Sequence, residues 1–326
     1  MKNILIRGVL MATSILSGVG AAYAADGGSG FYLLGSKGSL AGILPPEGIF
    51  YTNDLYFYSG SAEGGKRFPT IGGDLAVGLK AKAFTSVNTL LYSTPQELFG
   101  GRFAVGVALP LVDLHVDANA EFTLGGIPIL GASLNDNTTA LGDPVFITAL
   151  GWDSGLWHAT TYGTLNIPVG QWDAGALANA GFNRWAYDQT IAFTYLDPAT
   201  GHELTFAPGI TFNGENQDTG YDTGTEFHFE FAAMQHFSPQ FAAGLVGYHY
   251  QQLTPDSGTA PSGFEGQVSA LGAAINWNLQ LGEVPLSLKA KYFHEFEAKN
   301  RLEGDAFFVQ LAIPLYVPGA TTAGLN

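Results

Sequence analysis

One glycine-rich segment of the sequence has residue types and spacing that could do chemistry on a nucleotide. Residues 60–66 match the glycine and lysine spacing of a loop that binds phosphates. Arg67 stands where such a loop carries the serine or threonine that binds magnesium, and Phe68 and Pro69 follow where a helix should begin. The segment therefore predicts a loop that connects two strands.

A second group of candidate ligands consists of carboxylates placed among glycines. Asp218, Asp222 and Glu226 could together bind calcium. Their spacing does not fit an EF-hand loop, so an acidic surface loop is the favoured interpretation and calcium binding is the alternative. We expect no metal site and no bound cofactor.

The histidines are the remaining candidates for catalysis. A hydrolase needs a nucleophile, a base and an orienting partner that converge on one point. The sequence has seven scattered histidines and no Gly-x-Ser-x-Gly nucleophile motif. We expect a protein that is not an enzyme, with an outer-membrane hydrolase as the alternative because a triad can be assembled from distant strands. The histidines are expected to line the lumen or its rims: His115, His158, His202, His228, His236, His249 and His294.

Charged residues that alternate with apolar residues are the better functional candidates. Glu226, His228 and Glu230 alternate with phenylalanines, and Lys289 and Lys291 alternate with aliphatic residues. Successive side chains of a strand point to opposite faces, so such segments have one charged face and one apolar face.

In a barrel the charged face would line the lumen. Charges of both signs across a narrow lumen could set the selectivity of a channel, or they could pair and brace the wall, and both interpretations stay open. The predicted lumen-lining residues are Lys80, Lys82, Arg102, Glu226, His228, Glu230, Lys289, Lys291, Glu295 and Arg301.

About twelve strand candidates occupy residues 49–316, and a turn is predicted at residues 127–137. Many of the candidates are at least as long as the roughly 9–11 residues with which a tilted strand crosses a bilayer. A lysine or arginine that faces lipid at mid-depth destabilises a barrel by about 2–4 kcal/mol. In several segments one set of alternate residues carries no charge, as a face in contact with lipid requires. The pattern predicts an all-β fold, a transmembrane antiparallel up-and-down barrel of about twelve strands. A soluble periplasmic β-protein is the alternative.

The first 24 residues have the features of an export signal. Lys2 and Arg7 precede an apolar stretch, and Ala22-Tyr23-Ala24 gives a small-x-small cleavage pattern after Ala24. Removing this segment leaves 11 basic against 28 acidic residues, a net charge of −17, which excludes nucleic acid as an expected partner. Cysteine is absent, so no disulfide stabilises the exported chain.

Residues 25–48 break the alternation and form a predicted plug-like segment. Its glycines and prolines disfavour a helix or a strand, yet it is too apolar for a solvated tail. Phe31, Tyr32, Leu33 and Leu34 would give it an apolar contact surface inside the barrel. Residues 317–326 are expected to form a C-terminal tail.

Several short motifs occur in order along almost the whole mature chain. They lie at residues 30–35, 41–48, 142–144, 151–152, 168–170, 194–195, 213–216, 248–252, 295–301 and 304–305. With these motifs the chain resembles the outer-membrane β-barrel family of MetA-pathway (meta-pathway of phenol degradation) transporters. Many outer-membrane barrels end the chain on an aromatic residue of the last strand. Here the last predicted strand ends near Leu315 and Tyr316, and ten residues follow it.

The resemblance implies a barrel in the outer membrane of a Gram-negative bacterium that passes aromatic or other hydrophobic compounds. We therefore expect a monomeric channel for passive uptake, gated by the N-terminal segment, whose partners are small solutes and outer-membrane lipid. A structural or surface-interaction barrel without transport is a further alternative. The sequence does not identify the substrate.

Overall fold

The computed structural model describes residues 30–62, 67–70, 73–124, 127–259, 264–281 and 284–318. The predicted export signal and its cleavage site lie outside the described residues, as do residues 63–66 of the glycine-rich loop and most of the predicted tail. Within the described ranges, no helix has the length and apolar character needed to cross a membrane.

The described residues form strands joined by turns and loops. The strands are β1 (Gly48–Ala62), β2 (Arg67–Thr70), β3 (Gly73–Leu98), β4 (Gly101–Leu124), β5 (Ile127–Leu141), β6 (Val145–Ser154), β7 (Trp157–Asn166), β8 (Ala186–Asp197), β9 (His202–Asn213), β10 (Glu215–Asn216), β11 (Tyr221–Asp222), β12 (Glu226–Ser238), β13 (Phe241–Gln252), β14 (Ser257–Gly258), β15 (Gln267–Leu281), β16 (Val284–Lys299) and β17 (Glu303–Tyr316).

Twelve of these strands close into an antiparallel barrel. Their order is β1-β3-β4-β6-β7-β8-β9-β12-β13-β15-β16-β17, and β17 pairs again with β1. The closed sheet confirms the predicted fold class and strand number. Among the described residues, each of these twelve strands pairs with a neighbour on both sides, which a barrel in lipid requires because the bilayer core offers no water to bond with. Strands β2 and β5 each pair on one side only, with β3 and β4.

The two ends of the barrel differ in their connections. Turns of two to four residues join β3 to β4, β6 to β7, β8 to β9 and β12 to β13 at one end, which we call the short-turn end. Residues 167–185 and 214–225 form longer loops at the opposite end, the long-loop end, where residues 253–259 and 264–266 also lie. The first barrel strand begins and the last one ends at the short-turn end.

The outward face of the barrel carries an apolar band. On β9, Leu204 and Phe206 are exposed, whereas Glu203 on the opposite phase is 1% exposed. The alternation predicted from the sequence therefore separates the two faces correctly on this strand. Further exposed residues of the band are Leu90, Tyr92, Val107, Leu109, Leu111, Phe146, Tyr187, Ile191, Phe193, Ile210, Phe212, Leu245, Leu271, Ile275, Trp277, Tyr292 and Phe307.

Strand β3 corrects two of the predicted lumen residues. Lys80 and Lys82 are exposed and share the outward phase with Leu90, whereas Ala81 is buried on the inward phase. The prediction that both lysines line the lumen is therefore wrong. The 26 residues of β3 continue beyond the apolar band, where the outward face meets water. Charged side chains can therefore lie on the outward face there, and the position of a charge no longer identifies the inward face.

The turn predicted at residues 127–137 is also wrong, because these residues form most of β5. This strand pairs with the long-loop part of β4, while β6 pairs with the short-turn part of the same strand. Asn135 and Asn137 are exposed on β5. Such residues are rare in strands and common in turns, which explains the wrong prediction.

The apolar band makes a depth-dependent prediction on a single strand. Phe206→Arg should lower the free energy of unfolding by about 2–4 kcal/mol, because it places a charge well inside the band. Phe212→Arg, at the long-loop edge, should cost about 0–1 kcal/mol and is the matched control. Denaturant unfolding in lipid vesicles measures both; equal costs would contradict the assignment of this face to lipid.

Candidate functional site

Residues 30–47 form neither a helix nor a strand, and we call them the inner segment; apart from the exposed Pro46 and Glu47, they lie inside the barrel. Local turns shape it: the backbone N–H of Ser36 donates to the carbonyl of Leu33 at 3.1 Å, and that of Ala41 donates to Gly38 at 3.1 Å. Gly35 has a φ of 84°, and a Cβ there would lie 2.9 Å from ring carbons of the wall. Glycine is needed at this position for both reasons.

Carboxylates of the wall accept hydrogen bonds from the inner segment. Oε1 of Glu230 on β12 accepts from the hydroxyl of Tyr32 at 2.8 Å and from the backbone N–H of Gly35 at 3.0 Å. Glu203 on β9 accepts from the hydroxyl of Ser39 at 2.8 Å and from the backbone N–H of Leu40 at 2.7 Å. Charge-assisted bonds of this kind are the stronger hydrogen bonds in proteins.

Lysine side chains of β16 satisfy carbonyl groups of the inner segment. The ammonium group of Lys291 donates to the carbonyls of Gly35, Ser36 and Lys37, the last two at 3.1 and 3.0 Å. Lys291 also lies over the ring of Phe308, 4.7 Å from its centroid. Three carbonyl acceptors match the three donors of an ammonium group, so this buried cation is well compensated.

Neutral side chains hold the inner segment near its C-terminal end. The hydroxyl of Thr194 accepts from the backbone N–H of Gly42 at 2.9 Å, and the hydroxyl of Thr160 donates to its carbonyl at 2.8 Å. The hydroxyl of Tyr162 donates to the carbonyl of Ala41 at 2.8 Å. A Cβ on Gly42 would lie 2.5 Å from the backbone nitrogen of Thr194, so the two backbones approach closely there.

An aromatic stack joins the inner segment to a buried ionisable pair. The rings of Tyr32 and His228 are stacked, with centroids 3.4 Å apart and an interplanar angle of 13°. Nε2 of His228 lies 2.7 Å from Oδ2 of Asp188, which also accepts from the hydroxyl of Thr211 at 2.8 Å. His228 and Asp188 are both buried on the inward face.

An aromatic cluster fills one side of the barrel interior. Leu34 of the inner segment is buried in it, and Tyr32 and Leu33 pack against it. Tyrosine hydroxyls around this interior point to carboxylates at 2.6–2.8 Å: Tyr32 to Glu230, Tyr58 and Tyr248 to Glu295, and Tyr250 to Glu226. With their polar ends bonded to carboxylates, the tyrosines can present ring faces to the interior.

Most of the predicted lumen charges do lie on the inward face. Lys289 donates to the carbonyl of Ser39 at 3.0 Å, so it also contacts the inner segment. Glu226, Glu295 and Arg301 lie nearer the long-loop end among the tyrosines, with the guanidinium of Arg301 over the ring of Tyr250 at 4.1 Å.

Arg102 lies apart from the other predicted lumen charges, at the short-turn end. It forms an ion pair with Asp153, which also binds Nδ1 of His158 at 2.5 Å. The structure therefore brings seven of the ten predicted charges to the interior around the inner segment, leaves Arg102 at the short-turn rim, and places the two lysines of β3 outside.

Three buried polar residues around the inner segment were absent from the predicted site residues: Glu203 and Thr194, which bond to the segment, and Asp188, which bonds to His228 beneath Tyr32. Each lies on the inward phase of its strand and is at most 1% exposed. The alternation could have assigned all three to the inward face. Asp188 and Thr194 lie at alternate positions of β8 on the same face, and Glu203 shares a face of β9 with Thr205. Only the path of the inner segment shows why these positions matter.

The interior contains the base and orienting partner of a catalytic triad but no complete triad among the described residues. Carboxylates lie within ion-pair distance of His115, His158, His228, His236 and His294. No hydroxyl bonded to the second ring nitrogen of any of these five occurs in the described part of the chain. The residues described also bring together no cluster of three or more His, Cys, Asp or Glu that could hold a metal ion.

Comparisons with known proteins agree with this architecture. The sequence profile of the family described as putative MetA-pathway of phenol degradation matches residues 65–311. An outer membrane channel from Pseudomonas putida F1 is similar in structure, with a TM-score of 0.59 and 12% sequence identity over 83% of this chain and 96% of the other.

A second solved structure, a FadL homologue from Pseudomonas aeruginosa, has a TM-score of 0.42 and 12% identity over 82% of this chain and 90% of the other. No curated protein sequence matches the chain.

The lysine contacts make a prediction about the inner segment. Lys291→Met should loosen the segment by about 1–3 kcal/mol, because three carbonyls lose their donor inside the barrel. The chain has no cysteine, so Leu34→Cys provides a unique label in the segment, and its reaction rate with a maleimide should rise in the Lys291→Met background.

Lys299→Met is the matched control, because Lys299 is an exposed lysine on the same strand. Labelling should stay slow in that background. Equal labelling rates in both lysine variants would contradict the assigned role of Lys291.

Proposed function

The chain belongs to the family described as putative MetA-pathway of phenol degradation. From that premise we propose that it is an outer-membrane channel for the passive uptake of small hydrophobic or aromatic compounds. The family and the fold support the outer membrane as its location. The short-turn end would then face the periplasm and the long-loop end the cell exterior, since outer-membrane barrels have short periplasmic turns.

The observation that carries the proposal is the aromatic cluster beside the inner segment. Tyr56, Tyr248, Phe293 and Phe308 lie together there, with ring centroids of neighbouring members 4.8–6.0 Å apart. Aromatic rings in offset or edge-to-face contact can exchange one partner for another flat ring at small cost. Such a surface suits an aromatic or aliphatic solute better than a sugar or an ion.

The size of the barrel supports the same class of solute. Barrels of eight strands are filled by their own side chains, whereas barrels of 16–18 strands enclose an aqueous channel. A twelve-stranded barrel lies between them, with room for one slim solute or a plug, so a solute would pass when the inner segment shifts. Transport through it would run down the concentration gradient of the solute.

The inner segment is the proposed gate. Support comes from the bonds that hold it: carboxylates of β9 and β12, lysines of β16 and threonines of β7 and β8 all contact it. Movement of the whole segment would break many bonds at once. A gate of this kind would open by shifting Leu33 and Leu34, which pack on the aromatic cluster through apolar side chains, together with Tyr32, which would give up its bond to Glu230.

A monomer in contact with lipid fits the outward face. Strands of the same chain bond the backbone of the inner segment, so the proposed gate needs no second subunit. The exposed apolar band would meet the acyl chains of the outer membrane. The two alternative functions, a membrane hydrolase and a structural barrel without transport, both predict no contribution of this protein to solute uptake.

Uptake of labelled phenol and toluene tests the proposal directly. A strain that lacks the protein should take up both solutes more slowly than the parent, and the full-length gene should restore the rate. Uptake that is the same with and without the protein would refute the transport function and leave the structural barrel as the better interpretation.

Deletion of residues 26–46 should raise single-channel conductance in planar bilayers, because the inner segment occupies the path of the ions. The heat-modifiable gel shift of barrels must persist, since the deletion also leaves wall charges without partners. Unchanged conductance through a folded barrel would contradict the gate.

A further inference from the structure

The long-loop parts of β3, β4 and β5 rise beyond the apolar band and face water on their outward side. Lys80, Lys82 and His115 are exposed there. The inward side of β3 and β4 is nevertheless apolar, and a sheet in water with one apolar face requires cover. We call this inward face the apolar trough; it consists of Leu79, Ala81, Leu114, Val116 and Ala118.

The loop between β7 and β8 supplies the cover. Leu177 and Ala178 pack against the apolar trough and are only 9% and 2% exposed. Leu302, from the turn between β16 and β17, packs against the same cluster. We call residues 173–180 the lid tip, because they reach over the inward face of neighbouring strands.

One carboxylate attaches the lid tip to β5. Oδ2 of Asp136 accepts from the backbone N–H groups of Leu177 at 2.7 Å and of Ala178 at 3.0 Å. The bond from Ala178, with those from Leu177 and Asn137, holds the pKa of the Asp136 carboxyl below its ordinary value. This attachment is local, because Asp136 lies on the part of β5 beyond the apolar band.

The lid tip has its own internal hydrogen bonds. The backbone N–H of Asp173 donates to Oδ1 of Asn179 at 2.8 Å, and that of Ala176 donates to the carbonyl of Asp173 at 3.1 Å. Oδ1 of Asp173 accepts from the backbone N–H of Gly175 at 2.8 Å. None of these bonds involves the trough, so the tip can lift as a unit and keep them.

Both ends of the lid loop meet at one buried carboxylate. Asp143 accepts from the backbone N–H of Gly170 at 2.7 Å, from that of Phe182 at 2.8 Å and from the amide of Asn166 at 2.9 Å. Phe182 makes an edge-to-face contact with Phe31 of the inner segment, with centroids 6.5 Å apart. The base of the lid loop, where Gly170 and Phe182 bond to Asp143, therefore lies next to the proposed gate.

We propose that the apolar trough is the first binding site for solutes arriving from outside, and that Leu177 and Ala178 occupy it until a solute replaces them. The inference rests on the proposed uptake function and adds the place where a solute first binds. Lifting the lid tip costs two hydrogen bonds to Asp136, the bond that the backbone N–H of Ala180 donates to Oε1 of Gln171 at 3.1 Å, and the cover of the trough. A bound apolar solute restores the cover, and water can take the place of the lost donors.

The lining of the trough sets the class of solute. Its five residues offer only methyl and methylene groups, so an alkylbenzene fits it. An anion of the same size does not fit, because it would lose hydration without gaining a partner and would approach the carboxylate of Asp136. Toluene is therefore the positive probe and benzoate the negative one.

A single cysteine tests the proposal in the full chain. Leu177→Cys in outer-membrane vesicles should react slowly with an impermeant maleimide, because residue 177 is buried against the trough. Toluene should raise the rate several-fold and saturably as it displaces the tip, and benzoate should leave the rate unchanged. Asn137→Cys, exposed on the neighbouring strand, should react quickly with or without solute and is the matched control.

A polar substitution in the trough, combined with Leu177→Cys, provides the second variant. Val116→Asn should abolish the response of the introduced thiol to toluene, whereas His115→Asn, one residue away on the outward face, should preserve it. Retention of the heat-modifiable gel shift shows that both variants fold. A labelling rate at position 177 that ignores toluene, responds equally to benzoate or responds equally in Val116→Asn would overturn the trough as a binding site.

The same vesicles and strains separate this inference from the proposed function. If uptake of labelled toluene depends on the protein while labelling of the Leu177→Cys variant does not respond to toluene, the trough proposal fails and transport stands. If labelling responds as expected while uptake is independent of the protein, the trough binds solute and the transport function fails.

Discussion

An irregular chain inside a membrane barrel must have its backbone N–H and C=O groups bonded by the wall, because neither a helix nor a sheet satisfies them. The interior of this protein is organised around that requirement. Gly35, Leu40 and Gly42 donate their N–H groups to Glu230, Glu203 and Thr194 of three different strands. Buried carboxylates and lysines thus have partners that a packed hydrocarbon interior would not give them.

This requirement bears on whether the lumen charges select solutes or brace the structure. The donors of Lys291 are directed at carbonyls of the inner segment, and Glu230 and Glu203 accept from the same segment. These charges hold a backbone in place. The hydroxyls of Tyr58, Tyr248 and Tyr250 are bonded to other carboxylates of the wall, which leaves their ring faces as the surface available to a solute.

Alternation along the strands predicted much of the fold, including the number of barrel strands. On β9 and β12 the charge-free phase faces outward and Glu203, Glu226 and Glu230 are buried inside. The same rule failed on β3, since a sequence does not show where the bilayer ends. Beyond that boundary water solvates the outward charges, and the inward side is apolar because Leu177 and Ala178 cover it.

The candidate site was harder to predict than the fold. The broken alternation and apolar residues of the N-terminal segment indicated a place inside the barrel, and Leu34 and Tyr32 do pack there. The partners of the segment depend on contacts between residues more than 150 positions apart, such as Ser39 with Glu203. No local pattern contains that information, so Glu203 and Asp188 looked like ordinary polar positions of their strands.

Hydrogen exchange of the inner segment in the folded, lipid-embedded protein measures most directly whether the wall holds its backbone. The amides of Gly35, Leu40 and Gly42 should exchange as slowly as those of β9 and β12, because each donates to a side chain of the wall. The amides of exposed turns, such as Gly155, provide the fast reference. Exchange of the three amides at the rate of those turns would contradict the account, since it would show that the segment is not bound inside the barrel.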